Sequence, residues 1–191
     1  MTALILDLSP VIELTDEQFF EICQNNRDIR FERTAQGEII IMPPTGWENG
    51  NRNVKLIFRL ESWANVDGTG LVFDSSTGFI LPNGATRSPD AAWVKRARIE
   101  ALNPDPAKFL PMAPDFVVEL RSPTDSLERL QLKMQEYIDN GVLLGWLIDP
   151  QNQRVEIYRQ GQEVKVLQSP SNLSGEDILP GFILDLSQIL S

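Results

Sequence analysis

The clearest hydrophobic pattern lies between residues 113 and 149. A nearly continuous apolar run extends from Asp115 to Leu120, as in a strand covered on both faces. Apolar residues then recur at helical spacing, and Gly141 stands where a helix commonly ends. A second apolar run follows at Gly145–Asp149. These lengths predict a strand, a helix and a second strand, joined as a right-handed crossover between parallel strands. The inward face of the helix is predicted to consist of Leu127, Leu130, Met134, Tyr137 and Ile138.

The pattern outside this unit predicts shorter strands and three more helices. A capping box at Thr15-Asp16-Glu17-Gln18 marks the first helix. Residues 1–14 form an apolar, extended N-terminal arm, and no composition shift divides the chain, so we expect one domain over residues 1–191. The two strands at 154–158 and 163–167 predict a C-terminal β-hairpin. The other predicted elements are strands at 29–32, 38–42, 71–74, 77–81 and 90–94, and helices from 15 to about 24, about 49 to 64, and 96 to 102.

Composition fits an ordinary globular protein and gives a first expectation of its location. The chain has 191 residues, of which 42% are hydrophobic and 23% charged. It contains no apolar run of about 18 residues, so no membrane span is expected. The N-terminal residues lack the basic segment of a secretory signal, and the single cysteine, Cys23, has no internal disulfide partner. We therefore expect a cytoplasmic protein.

The net charge and the absence of histidine limit the kinds of binding and catalysis that this protein can perform. A net charge of −10 argues against a protein that binds nucleic acid by bulk electrostatic attraction. It leaves open a local basic groove near 95–98 or 52–59, although such residues are more often a solvated face. No histidine is present, which excludes serine-histidine and cysteine-histidine catalysis and histidine-zinc sites. Catalysis would have to use carboxylates, Lys, Tyr or Ser, and oxygen ligands favour Mg²⁺ or Mn²⁺.

Three residues form the candidate catalytic group. Asp90 begins one predicted strand, Glu119 lies near the end of another, and Lys133 lies on the helix that follows. Two carboxylates on neighbouring strands can hold one Mg²⁺, and a nearby Lys can orient or deprotonate water or offset negative charge. Each residue also has a purely structural explanation. Asp90 would then be a turn residue, Glu119 would pair with Arg121 or another base, and Lys133 would extend into solvent.

Several motifs resemble a known nuclease family from about Thr15 to Leu190. They read IIIMPPTG, RSPDAAWV, PDFVVELRSPTDSLERLQLKMQEYIDNGVLLGWLIDP, RVEIYR and LPGFILDLSQI. Together they resemble the Uma-type "putative restriction endonuclease" family. The resemblance implies an α/β, restriction-endonuclease-like fold of the PD-(D/E)XK type. This fold is a mixed β-sheet flanked by α-helices, here with the C-terminal β-hairpin added. It also implies cleavage of DNA that depends on a metal ion.

The resemblance assigns roles to the candidate residues. Asp90 matches the acid of the first motif and Glu119 the acid of the second, so both would hold the metal. A Lys is expected two residues after the second acid, but Arg121 occupies that position, and Arg is a poor base. Lys133 lies in a K-x-x-x-Y helix. It looks like a Lys that takes the place of the missing one from a different position in the chain.

Three further residues are candidates for supporting roles. Glu48 is similar in place to an extra acid that some such nucleases carry near their first long helix. Arg121 and Asp125 would fix Glu119 and the turn after its strand.

Three functions remain open at this stage. The first is a Mg²⁺-dependent DNA endonuclease, acting as a homodimer because the apolar arm and strand edges need cover. The second is a catalytically inactive, nuclease-like oligomeric binding protein, which Arg121 and the charge of −10 favour. The third is a sugar hydrolase with two acids about 5 to 9.5 Å apart in an open cleft.

Overall fold

The structure is a computed structural model that describes residues 3–9 and 11–190. Residues 1, 2 and 10 of the predicted arm lie outside this part of the chain. The strands are β1 (Leu4–Leu6), β2 (Arg30–Arg33), β3 (Ile39–Met42), β4 (Gly70–Asp74), β5 (Phe79–Ile80), β6 (Thr86–Arg87), β7 (Ala91–Lys95), β8 (Phe116–Leu120), β9 (Leu144–Asp149), β10 (Arg154–Arg159), β11 (Lys165–Gln168), β12 (Asn172–Ser174) and β13 (Ile183–Asp185). The helices are α1 (Asp16–Asn25), α2 (Trp47–Asp67), α3 (Arg96–Leu102) and α4 (Leu127–Asp139), and a short 3-10 helix covers Pro150–Asn152.

A six-stranded mixed sheet forms the centre of the fold. Its strand order is β11-β10-β9-β8-β7-β4. Strands β8 and β9 are parallel, with Phe116 opposite Leu144, and α4 connects them. The other neighbouring pairs are antiparallel. The predicted strand–helix–strand unit and the C-terminal β10–β11 hairpin are therefore both confirmed.

The central sheet is covered on both faces, as its apolar strands predict. Alternate residues of β8 pack in opposite directions because successive side chains of a strand point to opposite faces. Phe116, Val118 and Leu120 join the core under α2 and the C-terminal segment. Val117 joins the second core, under α4. Glu119 shares the Val117 face and is therefore directed toward α4.

Helix α4 is held close to the sheet by its local sequence. The Ser126 side chain accepts a hydrogen bond from the Arg129 backbone N–H, which caps the N-terminus. Gly141 follows the helix with φ of +102°, a conformation that glycine adopts without strain. At Gly145 a Cβ atom would lie only 2.5 Å from the Cε of Met134. The small residue in β9 thus permits the close approach of the helix that carries Lys133.

A second sheet, of five strands, lies in the N-terminal half with the order β1-β3-β2-β6-β5. The sequence predicts the β2–β3 hairpin and the N-terminal arm, which pairs with β3 through β1. It does not predict a separate sheet, because β5 and β6 contain only two residues each, too few to show alternation. Strand β2 carries Glu32, a buried acid. The pair β12–β13 forms a small third sheet.

Helix α2 is longer than its apolar pattern predicts. It begins after Gly46, which has extended φ and ψ of −66° and 156°, and it ends before Gly68, which is left-handed. The apolar residues that mark the helix lie in its middle, so the polar first turn escapes detection. The inward face of α2 carries Asn49 and Leu56, both buried. Across residues 3–9 and 11–190, none of the helices has the length and apolar character needed to cross a bilayer.

Candidate active site

Asp90 and Glu119 lie on neighbouring segments at one end of strands β7 and β8 in the central sheet. In the β7–β8 ladder Ala91 pairs with Val118, so the residue before Ala91 lies beside the residue after Val118. The backbone N–H of Leu120 donates to Asp90 Oδ2 at 2.8 Å. The two acids therefore lie on adjacent strands at the same end of the central sheet, as the sequence predicts.

Helix α2 contributes a third group, the side chain of Asn53, at this end of the sheet. Asn53 donates from Nδ2 to Asp90 Oδ1 at 3.0 Å. The Oδ1 atom of Asn53 is buried and has no hydrogen-bond partner within the described part of the chain, and the same is true of Asn49 Oδ1 one turn earlier. Buried polar atoms without partners are rare and often mark a site for water or an ion. The inner face of α2 thus presents a buried neutral oxygen atom on the residue that bonds to Asp90, and another one turn earlier.

Lys133 and Tyr137 bring helix α4 to Glu119. Lys133 Nζ lies 2.8 Å from Glu119 Oε1, and Tyr137 donates its hydroxyl to the same oxygen at 3.0 Å. The two residues are four positions apart and so share one face of the helix. The side chain of Lys133 is only 12% exposed, so the solvent-directed alternative for this residue is wrong.

Glu32 forms the other side of the Lys133 site. Its Oε1 atom accepts from Lys133 Nζ at 2.8 Å and from the Ser88 backbone N–H at 2.9 Å. Its Oε2 atom lies 3.2 Å from Arg87 NH1, while Arg87 Nε donates to Glu136 at 2.6 Å. Sequence analysis missed this acid. It is charged but 2% exposed, and it lies in a strand whose alternation alone does not distinguish a buried acid from a solvated one.

Asp90 and Glu119 both have raised pKa values, so they hold protons more tightly than ordinary carboxylic acids. Burial raises the pKa of Glu119 to about 7, and repulsion from Asp90 and Glu32 adds to this effect against the attraction of Lys133. Burial also raises the pKa of Asp90, although the hydrogen bond from Leu120 N–H opposes it. Near neutral pH, Glu119 therefore exchanges a proton readily.

The pKa values of Glu32 and Lys133 are shifted in the directions that keep both side chains charged. Burial alone would raise the pKa of Glu32, but the charges of Lys133 and Arg87 outweigh it and lower the pKa. Burial would lower the pKa of Lys133, but Glu119 and Glu32 outweigh it and raise the pKa. The pKa of Tyr137 is raised by its burial and by the nearby carboxylates. Lys133 is thus an ammonium ion, and Tyr137 is a neutral hydrogen-bond donor.

Arg121 and Asp125 bond to other partners, although the charge of Asp125 raises the pKa of Asp90. Arg121 pairs with Asp149 at 2.8 Å rather than with Glu119, and its Nε donates to the Asp125 carbonyl oxygen. The Asp125 carboxylate accepts from the Ser122 backbone N–H at 2.8 Å. Both residues therefore fix the turn after β8.

Glu48 lies on the solvent side of α2. Its side chain is 58% exposed and pairs with Arg52 one turn later, at 3.1 Å. Within the described residues it makes no hydrogen bond or ion pair with Asp90 or Glu119. The structure thus brings together Asp90, Glu119 and Lys133, and it leaves Glu48 outside their group.

The family of the chain follows from comparison with known sequences. A family model described as "Putative restriction endonuclease" matches residues 16–187. The chain belongs to the Uma2 family. The predicted resemblance is confirmed over nearly the whole length. No curated protein matches the chain.

A solved structure shows the same fold as this Uma2 protein. It is described as a "putative nuclease belonging to DUF820" from Anabaena variabilis. The TM-score is 0.78, with 19% sequence identity, and the match covers 93% of this chain and 97% of the other. The α/β nuclease-like fold is therefore confirmed, and the family description points to a nuclease.

Proposed function

We propose that this Uma2 protein is a Mg²⁺- or Mn²⁺-dependent endonuclease that hydrolyses DNA phosphodiester bonds. The observation that carries the proposal is the meeting of Asp90, Glu119 and Lys133 at one end of the central sheet. Two carboxylates and a buried ammonium ion, 2.8 Å from Glu119, combine metal ligands with a group that offsets negative charge. The family description supports DNA as the substrate.

The residues present fit a hard divalent cation. Carboxylate and amide oxygens are ligands that Mg²⁺ accepts, usually with several water molecules. Asp90 and Glu119 would hold the ion, and Asn53, whose Oδ1 is buried without a partner in the described residues, bonds to Asp90 through its Nδ2. Among residues 3–9 and 11–190, no three acidic or cysteine side chains converge as a metal-ligand cluster. Neutral oxygens and water would therefore complete the coordination.

The protein groups have separate chemical roles in this proposal. A bound divalent cation would lower the pKa of a water molecule and draw negative charge from a phosphoryl oxygen. Lys133 stays protonated between Glu119 and Glu32, so its ammonium would stabilise negative charge rather than remove a proton. Tyr137 orients Glu119 by its hydrogen bond to Oε1. Glu119, whose pKa is about 7 without a cation, would release its proton when it holds the ion as an ionised carboxylate.

We also propose that two copies of the chain associate. Strand β1 is the outermost strand of the N-terminal sheet, and its side chains Leu4, Ile5 and Leu6 are exposed. Exposed apolar edge strands tend to pair with another chain. Light scattering coupled to size exclusion measures the mass directly, and a monomer at high protein concentration would contradict the association.

Calorimetric titration with Mn²⁺ tests the proposed metal site. We expect the wild type to bind the ion and the isosteric variants Asp90→Asn and Glu119→Gln to lose binding while remaining folded in thermal melts. Glu48→Gln removes an exposed acid outside the group and serves as the matched control, with unchanged affinity. Plasmid cleavage by the wild type and by Lys133→Met then tests catalysis. Equal Mn²⁺ binding by the wild type, Asp90→Asn, Glu119→Gln and Glu48→Gln would contradict the proposed metal site.

A second function is favoured by one specific observation. Arg121 occupies the position of the expected catalytic Lys and is bound to Asp149 and the Asp125 carbonyl oxygen. A nuclease-like binding protein without catalysis would have no need of a Lys at that position. Mn²⁺ binding by the wild type without cleavage of DNA or RNA would support this function over the first.

A further inference from the structure

Glu32 reaches the candidate active site from a different sheet. It lies on β2 of the N-terminal sheet, whereas Asp90 and Glu119 lie at one end of strands β7 and β8 in the central sheet. Nevertheless its carboxylate is 2% exposed and contacts Lys133 of helix α4 at 2.8 Å. A charged group is rarely buried unless it is paired, and here several donors hold it.

One oxygen atom of Glu32 connects the Lys with the turn that carries Asp90. Oε1 accepts from Lys133 Nζ at 2.8 Å and from the Ser88 N–H at 2.9 Å. Ser88 precedes Asp90 by two positions in the chain. The same carboxylate oxygen therefore fixes the ammonium relative to the segment that begins β7.

The second oxygen of Glu32 prevents the carboxylate from turning. Oε2 lies 3.2 Å from Arg87 NH1, and Arg87 is itself held by Glu136 through its Nε at 2.6 Å. Arg forms such contacts in a rigid planar geometry, so the Glu32 carboxylate has a fixed orientation. Its Oε1 is thereby directed at Lys133.

Lys133 needs such a partner because its side chain is long and flexible. A Lys ammonium is a point charge on a four-carbon stem with considerable rotamer freedom. Glu119 alone would hold it from one side only. With Glu32 on the other side, the ammonium is confined between two carboxylates at 2.8 Å each.

We propose that Glu32 is a positioning residue that holds the Lys133 ammonium against Glu119, so that the N-terminal sheet supplies part of the active site. The inference rests on the proposed nuclease function. Within the described residues Glu32 makes no hydrogen bond to Asp90 or Glu119, and its position acts through Lys133 and the Ser88 turn. Its charge also raises the pKa of Glu119, so a variant that keeps the charge is needed to separate the two effects. Positioning errors of this kind lower the rate of the chemical step rather than substrate binding.

The kinetic test compares Glu32→Gln with Glu176→Gln. Both variants remove one negative charge that is paired with an Arg, but only Glu32 contacts Lys133. We expect Glu32→Gln to lower kcat by about 10- to 100-fold with KM for a DNA duplex and Mn²⁺ affinity unchanged. Glu176→Gln is expected to keep kcat within about twofold of the wild type. Equal kcat values for Glu32→Gln and the wild type would overturn the inference.

An NMR measurement tests the positioning without any enzyme activity. Lys ammonium protons are observed when hydrogen bonds and burial slow their exchange with water, and the Lys133 signal is assigned by its absence in Lys133→Met. We expect this signal in the wild type and in Glu176→Gln, and its loss by exchange broadening in Glu32→Gln. An unchanged signal in Glu32→Gln would overturn the positioning role. If the wild type shows the signal but cleaves no DNA, the nuclease proposal fails, and only the structural part of the inference stands.

A shorter acid keeps the test decisive if Glu32→Gln does not fold. Glu32→Asp retains the charge but withdraws the carboxylate by one methylene group. Positioning then predicts a kcat at least about fivefold below that of the wild type, with unchanged KM. A folded Glu32→Asp protein with the kcat of the wild type would contradict the inference.

Discussion

The ammonium nitrogen of Lys133 lies 2.8 Å from Glu119 Oε1, although the two residues belong to different secondary structure elements. Glu119 is carried by β8 and Lys133 by the helix that follows it. The contact arises because Glu119 points to the α4 face of the sheet and α4 packs closely over Gly145. A Lys can therefore stand beside the second acid without following it by two positions in the sequence.

We expect Lys133→Met to destabilise the protein. The substitution leaves Glu32 and Glu119 buried with one shared counter-charge removed, and breaking a buried ion pair costs about 3–5 kcal/mol. Urea unfolding at about pH 8 measures this loss, because Glu119 in the wild type, with a pKa of about 7, is mostly ionised there. In the variant it must either remain unpaired or bind a proton, and both lower the stability. Lys55→Met, on the partly exposed side of α2, is the control and is expected to change stability by less than about 0.5 kcal/mol. A loss below about 1 kcal/mol for Lys133→Met would show that Lys133 does not compensate these acids.

Restoring the usual motif at position 121 is not expected to replace Lys133. The Arg121 guanidinium is directed at Asp149, which is 1% exposed, and a Lys in its place would be held by the same acid. We expect Lys133→Met to reduce plasmid cleavage by about 100-fold or more, and the double variant with Arg121→Lys to remain equally slow. Recovery of cleavage in the double variant would show that a Lys at position 121 reaches Glu119.

The central unit is predicted well by sequence because its signals are local and strong. Strands β8 and β9 and helix α4 combine apolar runs, helical periodicity and Gly141, all of which one chain segment displays. The same applies to Asp90 and Glu119, which are acids at the ends of apolar runs. Their neighbourhood follows from the pairing of β7 with β8.

Glu32 and Asn53 could not be predicted in the same way. Their positions depend on how the N-terminal sheet and α2 pack against the central sheet, which is a non-local property. Asn53 lies on a polar part of a helix where a solvated amide is the ordinary expectation. Glu48, five positions earlier, is the acid that the sequence favours, yet helical geometry turns it outward to Arg52. In this helix the orientation of a residue matters more than its charge.

Asn53→Ala is expected to weaken the proposed metal site. Asn53 donates to Asp90 Oδ1 at 3.0 Å, and loss of a group that orients a metal ligand typically lowers affinity by about 10- to 100-fold. Asn65→Ala removes an exposed amide from the same helix, where it bonds to Glu61, and serves as the control. Mn²⁺ titration of both variants measures the difference. Equal affinities would mean that Asn53 does not support Asp90 in the metal-bound state.

The buried Glu119 makes stability depend on pH in a definite direction. Its pKa in the folded protein is about 7, above the ordinary value of 4.5. Between these values the folded protein binds more protons than the unfolded chain, so the contribution of Glu119 to stability is present at low pH and is lost as pH rises toward 7.

Comparison of the wild type with Glu119→Gln isolates this effect, because Gln occupies the same space and does not titrate. Since one pKa unit corresponds to 1.36 kcal/mol, we expect the stability of the wild type relative to Glu119→Gln to fall by about 2 kcal/mol between about pH 5.5 and about pH 8. Urea unfolding of both proteins at several pH values measures the difference, and titration of Glu32 largely cancels because both proteins contain it. Parallel pH profiles would show that Glu119 is ionised throughout this range. The charge of Lys133 would then outweigh burial and the repulsion from Asp90.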